Sequence, residues 1–481
     1  MRKILVLFFI WGCLCGCGGG KANVEETGKF PDIFPDYQFV TIPVNIAPLN
    51  FRVPGAEQVE VEFSKGNAPL LVCRGKEGIQ IPIKKWRSML EKIENGFLAV
   101  KVYAKQEGKW KGYSPFQIKV VSDSIDPYIA YRLIEPGYEL GTRLSLFQRE
   151  LSSFDEEVFV PYSLTDNNCV NCHAFSNYSP DKFMFHVRQS NSGTIIVDHG
   201  SVKKINTKTA ALATPGSYRM WHPSGKYIAF STSKTYQAFH AFREKKIEVY
   251  DLLSDLMIYD VEDNKVLTDE RLLTKDEWET FPAWSPDGKY LYFCRAKVRN
   301  MPMEYKQLKY GIYRVAFNEA NGTLADSIET VIDPEVTQKS TVFPAISPDG
   351  RFLLYSIADG GVFPVHHSEA DLEMIDLQTG KPVDMRAINS PYSESYHVWS
   401  SSGRWIVFSS RRIDNGYTHV YFAHVDENGK VDKPFVLPQK NPDFYRLCLK
   451  SFNVPELISG RITISPYRLE KAIKGPIINA R

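Results

Sequence analysis

Past its first sixteen residues the sequence has no long hydrophobic run. No later stretch reaches the about 18 consecutive apolar residues that a membrane-spanning helix needs. Charge of one sign is missing too: 58 Lys and Arg against 56 Asp and Glu leave a net +2. With no basic patch, nothing points to nucleic acid. Cysteines number only eight in 481 residues. Those beyond the N-terminus (Cys73, Cys169, Cys172, Cys294 and Cys448) are too scattered for a disulfide framework. Cys294 ends a strand-like run and reads as a small buried hydrophobe. Catalytic signatures are also absent: there is no Gly-x-Ser-x-Gly elbow, no P-loop and no His-Glu-x-x-His. Residues 451–481 are too few for a further catalytic domain. The sequence therefore assigns no catalytic residue, and the chain is read as a non-enzyme.

What the sequence does contain begins at its first residues. Arg2 and Lys3 precede an apolar run over 4–12, too short to span a bilayer, which reads as a secretory signal. Leu14-Cys15-Gly16-Cys17 follows, then Gly18, Gly19 and Gly20. This segment resembles the lipobox of bacterial lipoproteins. The resemblance implies cleavage before Cys17, acylation of its thiol and stable anchoring by more than one chain, here on the periplasmic face of the outer membrane. Residues 1–16 are then a signal peptide and 17–36 a tether.

One pattern recurs along the chain: an aromatic or apolar residue, Ser-Pro-Asp-Gly or a variant, a basic residue, then an apolar strand. Trp284-Ser285-Pro286-Asp287-Gly288-Lys289 and Ile346-Ser347-Pro348-Asp349-Gly350-Arg351 are the clearest copies. Trp221-His222-Pro223-Ser224-Gly225-Lys226 and Trp399-Ser400-Ser401-Ser402-Gly403-Arg404 are variants, and Tyr178-Ser179-Pro180-Asp181-Lys182 is a copy without its glycine. Proline fixes φ, aspartate bonds the local backbone and glycine accepts positive φ, so each copy is a turn leading into a strand. The aspartates are turn formers, not acids or bases. Repetition on this scale predicts stacked β-units. The copies resemble the propeller repeats of TolB-like proteins, which implies an all-β fold with a C-terminal propeller of five to six blades over 176–481. The last blade is then closed by a strand from elsewhere in the chain.

Ahead of the repeats, residues 37–122 hold strand candidates at 39–46, 59–63, 70–73, 96–104 and 116–121, with a helical stretch at 84–93. The arrangement predicts a small immunoglobulin-like sandwich. Residues 123–175 read as an irregular or partly helical connector rich in aromatics.

Cys169-Val170-Asn171-Cys172-His173, at the end of that connector, matches the c-type haem attachment pattern. Both thiols would take the vinyl groups of one porphyrin, and His173 would ligate the iron. Met184 and His186 share one face of a strand and are the candidates for the sixth position, with His199, His222 and His397 in reserve. Three other readings stand beside haem: a simple disulfide, a metal knuckle and chance. His366-His367 reads as an exposed loop pair, since strand neighbours point to opposite faces.

The chain also resembles exported lipoproteins that place one such motif beside a TolB-like propeller. That resemblance implies one covalent haem c and an electron-transfer or redox role. The alternative is a non-catalytic propeller scaffold for protein interaction or translocation in the periplasm.

Overall fold

The computed structural model describes residues 23–135, 144–239 and 247–481. The signal segment and Cys17 lie outside the described residues. Within them, no helix is long and apolar enough to cross a membrane.

The chain is all-β. Its N-terminal part is one branched seven-stranded sheet with a single long helix. Strand Gly96–Gln106 pairs along one edge with Gln58–Lys65. Along the other edge its first half pairs with Phe116–Val121 and its second half with Lys109–Gly112. The segment expected as an immunoglobulin-like sandwich thus has all its strands joined through Gly96–Gln106. The helix, Ile83–Ile93, buries Trp86, Met89, Leu90 and Ile93. That i, i+3, i+4, i+7 spacing is the apolar stripe of an amphipathic helix.

Six further sheets follow, each four-stranded apart from one added edge strand. Sheet 1 comprises Val170–Phe175, Lys182–Val187, Gly193–Asp198 and Ser201–Asn206, with Ile478–Asn479 added in parallel. Sheet 2 holds Arg219–Trp221, Tyr227–Phe239, Ile247–Asp260 and Lys265–Leu267. Sheet 3 runs Glu277–Trp284, Tyr290–Lys297, Gly311–Asn318 and Thr323–Ile332. Sheet 4 runs Ser340–Ile346, Phe352–Ala358, Asp371–Asp376 and Lys381–Pro382. Sheet 5 runs Glu394–Trp399, Trp405–Ser410, His419–His424 and Phe435–Val436.

Sheet 6 is composite. Its first strand is Ser451–Ile458, near the C-terminus, and its other three are Tyr128–Ile134, Ser145–Glu150 and Glu156–Val160. The region expected as an irregular connector is therefore three antiparallel strands, whose aromatic residues serve a core. Tyr131 stacks at 5.0 Å on Phe452 across the join.

The repeat turns do what their chemistry predicts. Ser285 Oγ donates to Asp287 Oδ1 at 2.6 Å, Lys289 N–H donates to the same oxygen, and Tyr290 N–H donates to Ser285 Oγ at 2.9 Å. Ser347, Asp349, Arg351 and Phe352 repeat the set. Gly288 and Gly350 close these turns at φ 71° and 75°, where a Cβ would be strained. The tryptophan ahead of the turn ties sheet to sheet. Trp221, Trp284 and Trp399 Nε1–H donate to the carbonyls of Ala174, Met220 and Ala345 in the preceding sheet.

The N-terminal sheet packs on sheet 5, and one apolar cluster runs through both. Trp405, fully buried, donates to Asp123 O at 2.8 Å, and His424 meets Asp123 at 2.9 Å.

Candidate functional site

Cys172 and His173 lie inside the first strand of sheet 1, not ahead of it. Sheet 1 thus begins at Val170, earlier than the 176 boundary expected from sequence. At this point two residues of the strand oppose one on its neighbour, and Cys172 takes φ 51°. Such a bulge re-aims the side chains it carries. The same irregularity recurs at Phe281-Pro282, Phe343-Pro344, Tyr396-His397 and Val454-Pro455, each first residue at φ between 48° and 57°. Cys172 and His173 are therefore this sheet's copy of a repeated pair. The sequence carries the signal: Cys172-His173-Ala174-Phe175-Ser176 runs parallel to Phe281-Pro282-Ala283-Trp284-Ser285. Alignment on the later Tyr178-Ser179-Pro180-Asp181 turn hides it.

The bulge residues gather between the sheets. Phe281 and Phe343 sit 4.1 Å apart by ring centroids, Phe343 and Tyr396 5.3 Å, and Tyr218 and Phe281 4.9 Å. The residue after each bulge can bridge to the neighbouring sheet. His397 Nε2 donates to Phe343 O at 2.7 Å. His173, in the matching place of sheet 1, is 1% exposed, and burial holds its imidazole well below the usual pKa.

His173 nevertheless has one feature that His397 lacks. Its Nε2 is buried and has no hydrogen-bond partner among the described residues. A ring nitrogen left free of protein partners is one that a metal could take. Cys172 is buried, Cys169 half-buried, and both are free thiols. Burial raises the pKa of Cys169. The two free thiols and the unpartnered Nε2 are the groups that a covalent haem would use, and Cys172 and His173 are both buried. The ring of Phe175 stands 5.9 Å from the imidazole.

Met184 and His186 are committed elsewhere. Met184 packs with Ile196, Trp221 and Phe230 in an apolar cluster. His186 uses both nitrogens, Nδ1 with Thr194 Oγ1 at 3.0 Å and Nε2 with Ser217 O at 3.3 Å. Burial pushes its pKa down to about 3. His222 is likewise bonded at both nitrogens, to Ser224 and Gly288, and His199 is exposed beside Asp198. Among the described residues no group of three His, Cys, Asp or Glu side chains is placed to hold a metal ion. Cys73 and Cys448 are free thiols, not a disulfide.

His367 corrects the expectation of an exposed loop. It is 1% exposed and contacts Glu248 at 3.0 Å, Glu369 at 3.2 Å and the Tyr305 hydroxyl. These partners belong to a feature that sequence reading missed: strands Tyr227–Phe239 and Ile247–Asp260 run far past the rest of sheet 2. The extension exposes Tyr236, Phe239 and Leu252 at 53%, 51% and 42%. Tyr250 lies against both Tyr236 and Tyr305. The available signal was that no Gly, Pro, Asn or Asp interrupts the stretch from Tyr227 to Phe239.

At the base of this hairpin Asp251 is fully buried. Oδ2 accepts from the Tyr310 hydroxyl at 2.7 Å, and Oδ1 has no partner among the described residues. Burial pushes the Asp251 pKa up to about 7. A raised folded-state pKa favours folding below the unfolded carboxylate range, and that contribution is lost as pH rises through about 7. Asp251→Asn keeps an acceptor for Tyr310 and removes the titration. The stability difference between pH 5 and pH 8 should shrink by about 1 to 3 kcal/mol. Thermal melts at the two pH values check this; an unchanged difference contradicts it.

The class defined by these observations is an all-β chain of repeated four-stranded sheets with a Cys-x-x-Cys-His motif built into one first strand. No protein-family model matches the chain, and no curated protein matches it. Solved structures resemble it distantly. Prolyl oligopeptidase B from Galerina marginata is 14% identical with a TM-score of 0.35, over 62% of this chain and 42% of that one. A puromycin-hydrolyzing peptidase of Mycobacterium tuberculosis is 12% identical with a TM-score of 0.34, over 83% of this chain and 57% of that one. This chain thus spans less than two thirds of either, and neither assigns it an activity.

Proposed function

We propose that sheets 1 to 6 are the blades of a closed, TolB-like six-bladed β-propeller. In this reading the chain is an envelope lipoprotein, anchored through Cys17 on the periplasmic face of the outer membrane, and serves as a non-catalytic scaffold for protein contacts. Closure is supported by the first strands. Each packs on the next, and Ser451–Ile458 packs on both Glu394–Trp399 and Val170–Phe175.

The observation that carries the scaffold reading is the aromatic hairpin of sheet 2. Exposed aromatic and aliphatic side chains gathered on one projecting element mark an interaction surface, and Met303 in the adjoining loop is 80% exposed. The occupant is a protein partner in the same compartment. A photoreactive residue at Tyr236 should give a discrete high-mass adduct in intact cells, and one at exposed Lys381 on sheet 4 should not. No adduct at Tyr236, or the same ladder at both positions, contradicts the reading.

A second reading rests on one observation, the unpartnered Nε2 of His173. In it Cys169 and Cys172 would hold a single covalent haem and His173 would ligate its iron. Bound there, haem would supply one-electron redox chemistry. The chain's part is to shield the imidazole from water.

A further inference from the structure

Around the Cys172-His173 bulge, arginines outnumber the carboxylates that could meet them. Arg132 of sheet 6 donates to the amide oxygens of Asn171 and of Asn453, both neutral groups. Arg411, just past the second strand of sheet 5, reaches only His366 Nδ1, at 3.3 Å. Asp414 acts on Arg411 without forming an ion pair, and burial lowers the Arg411 pKa. Arg188, just past the second strand of sheet 1, is exposed, and its backbone N–H donates to Cys169 O at 3.0 Å. Among the described residues only Arg219 of these has a carboxylate, Glu456, at 2.7 Å, and Glu456 also accepts the Phe175 N–H. The Nε atoms of Arg132, Arg219 and Arg411 are all buried without a hydrogen-bond partner.

Buried guanidinium nitrogens without an acceptor are costly. A planar oxyanion offers the acceptors they lack, because the guanidinium fork matches carboxylate and phosphate geometry. We propose that the arginines at this mouth between sheets 1, 2, 5 and 6 bind a small oxyanion, the carboxylate or phosphate group of a soluble ligand. This site does not depend on the scaffold reading, and it stands whether or not haem is attached, since none of the arginines belongs to the attachment motif.

The test is titration calorimetry of the mature protein in detergent at low ionic strength, prepared without haem. Inorganic phosphate and succinate are the two probes. At least one should bind with a Kd below about 1 mM, and the stronger of the two tells phosphate from carboxylate. Arg411→Gln should weaken binding about 10-fold and Arg188→Gln about 3-fold, with loss at high salt. Arg188 is exposed, so its variant decides the matter should Arg411→Gln fail to fold. Binding of neither probe, or wild-type affinity in the Arg188 variant, overturns the proposal.

Discussion

A chain ended after Lys450 should not fold cooperatively. Truncation there removes Ser451–Ile458, the first strand of sheet 6, and leaves Tyr128–Ile134 with an open edge. It deletes the fully buried Phe452, Leu457 and Ile458. At about 1.5 to 3 kcal/mol for each buried side chain, their loss approaches the whole net stability of a typical domain. Polar damage compounds it. Arg132 loses Asn453, and Arg219 loses its only carboxylate, Glu456. The expected result is a broad, uncooperative melt and rapid proteolysis of the whole repeat region. A sharp transition within a few degrees of wild type would show that the strand is an ornament.

The second large effect is all-or-none. If His173 is an axial ligand, co-expression with a cytochrome c maturation system should yield a peroxidase-staining band on a denaturing gel. Cys169→Ala/Cys172→Ala should abolish that band while export and folding persist. Neither cysteine bears on a core large enough to unfold the chain, so a lost band reports chemistry rather than stability. A wild-type protein that exports and folds without the stain removes the haem reading and leaves His173 as a buried residue of the repeated bulge, the place His397 has in sheet 5.

The parts of the fold legible in the sequence were those made by local chemistry. The Ser-Pro-Asp-Gly turns are hydrogen-bonded within six residues, so Asp287 and Asp349 announce themselves. The helix Ile83–Ile93 shows its own apolar stripe. Sheet 6 was not legible, and the reason is physical. Its first strand comes from one end of the chain and its second from near the other, so no hairpin joins them and no repeat turn exists to be read. The strands of 128–160 pass for a connector because their partner is far away in sequence. The site was half legible. Cys169, Cys172 and His173 stood out by spacing, but their place in a bulge shared with Phe281, Phe343, Tyr396 and Val454 depends on register. His367 was misjudged because its burial comes from Glu248 and Tyr305, which only the long hairpin brings to it.

The measurement that bears most directly on the central claim, a propeller closed by its C-terminal strand, is hydrogen exchange on Phe452→Ala. Phe452 packs on Tyr131 and His419, one ring in each of two adjoining sheets. The account predicts faster exchange in 128–134, 145–150 and 451–458 together, with the N-terminal strand at 58–65 unchanged. A rise confined to 451–458 would mark that segment as a peripheral tail and contradict closure.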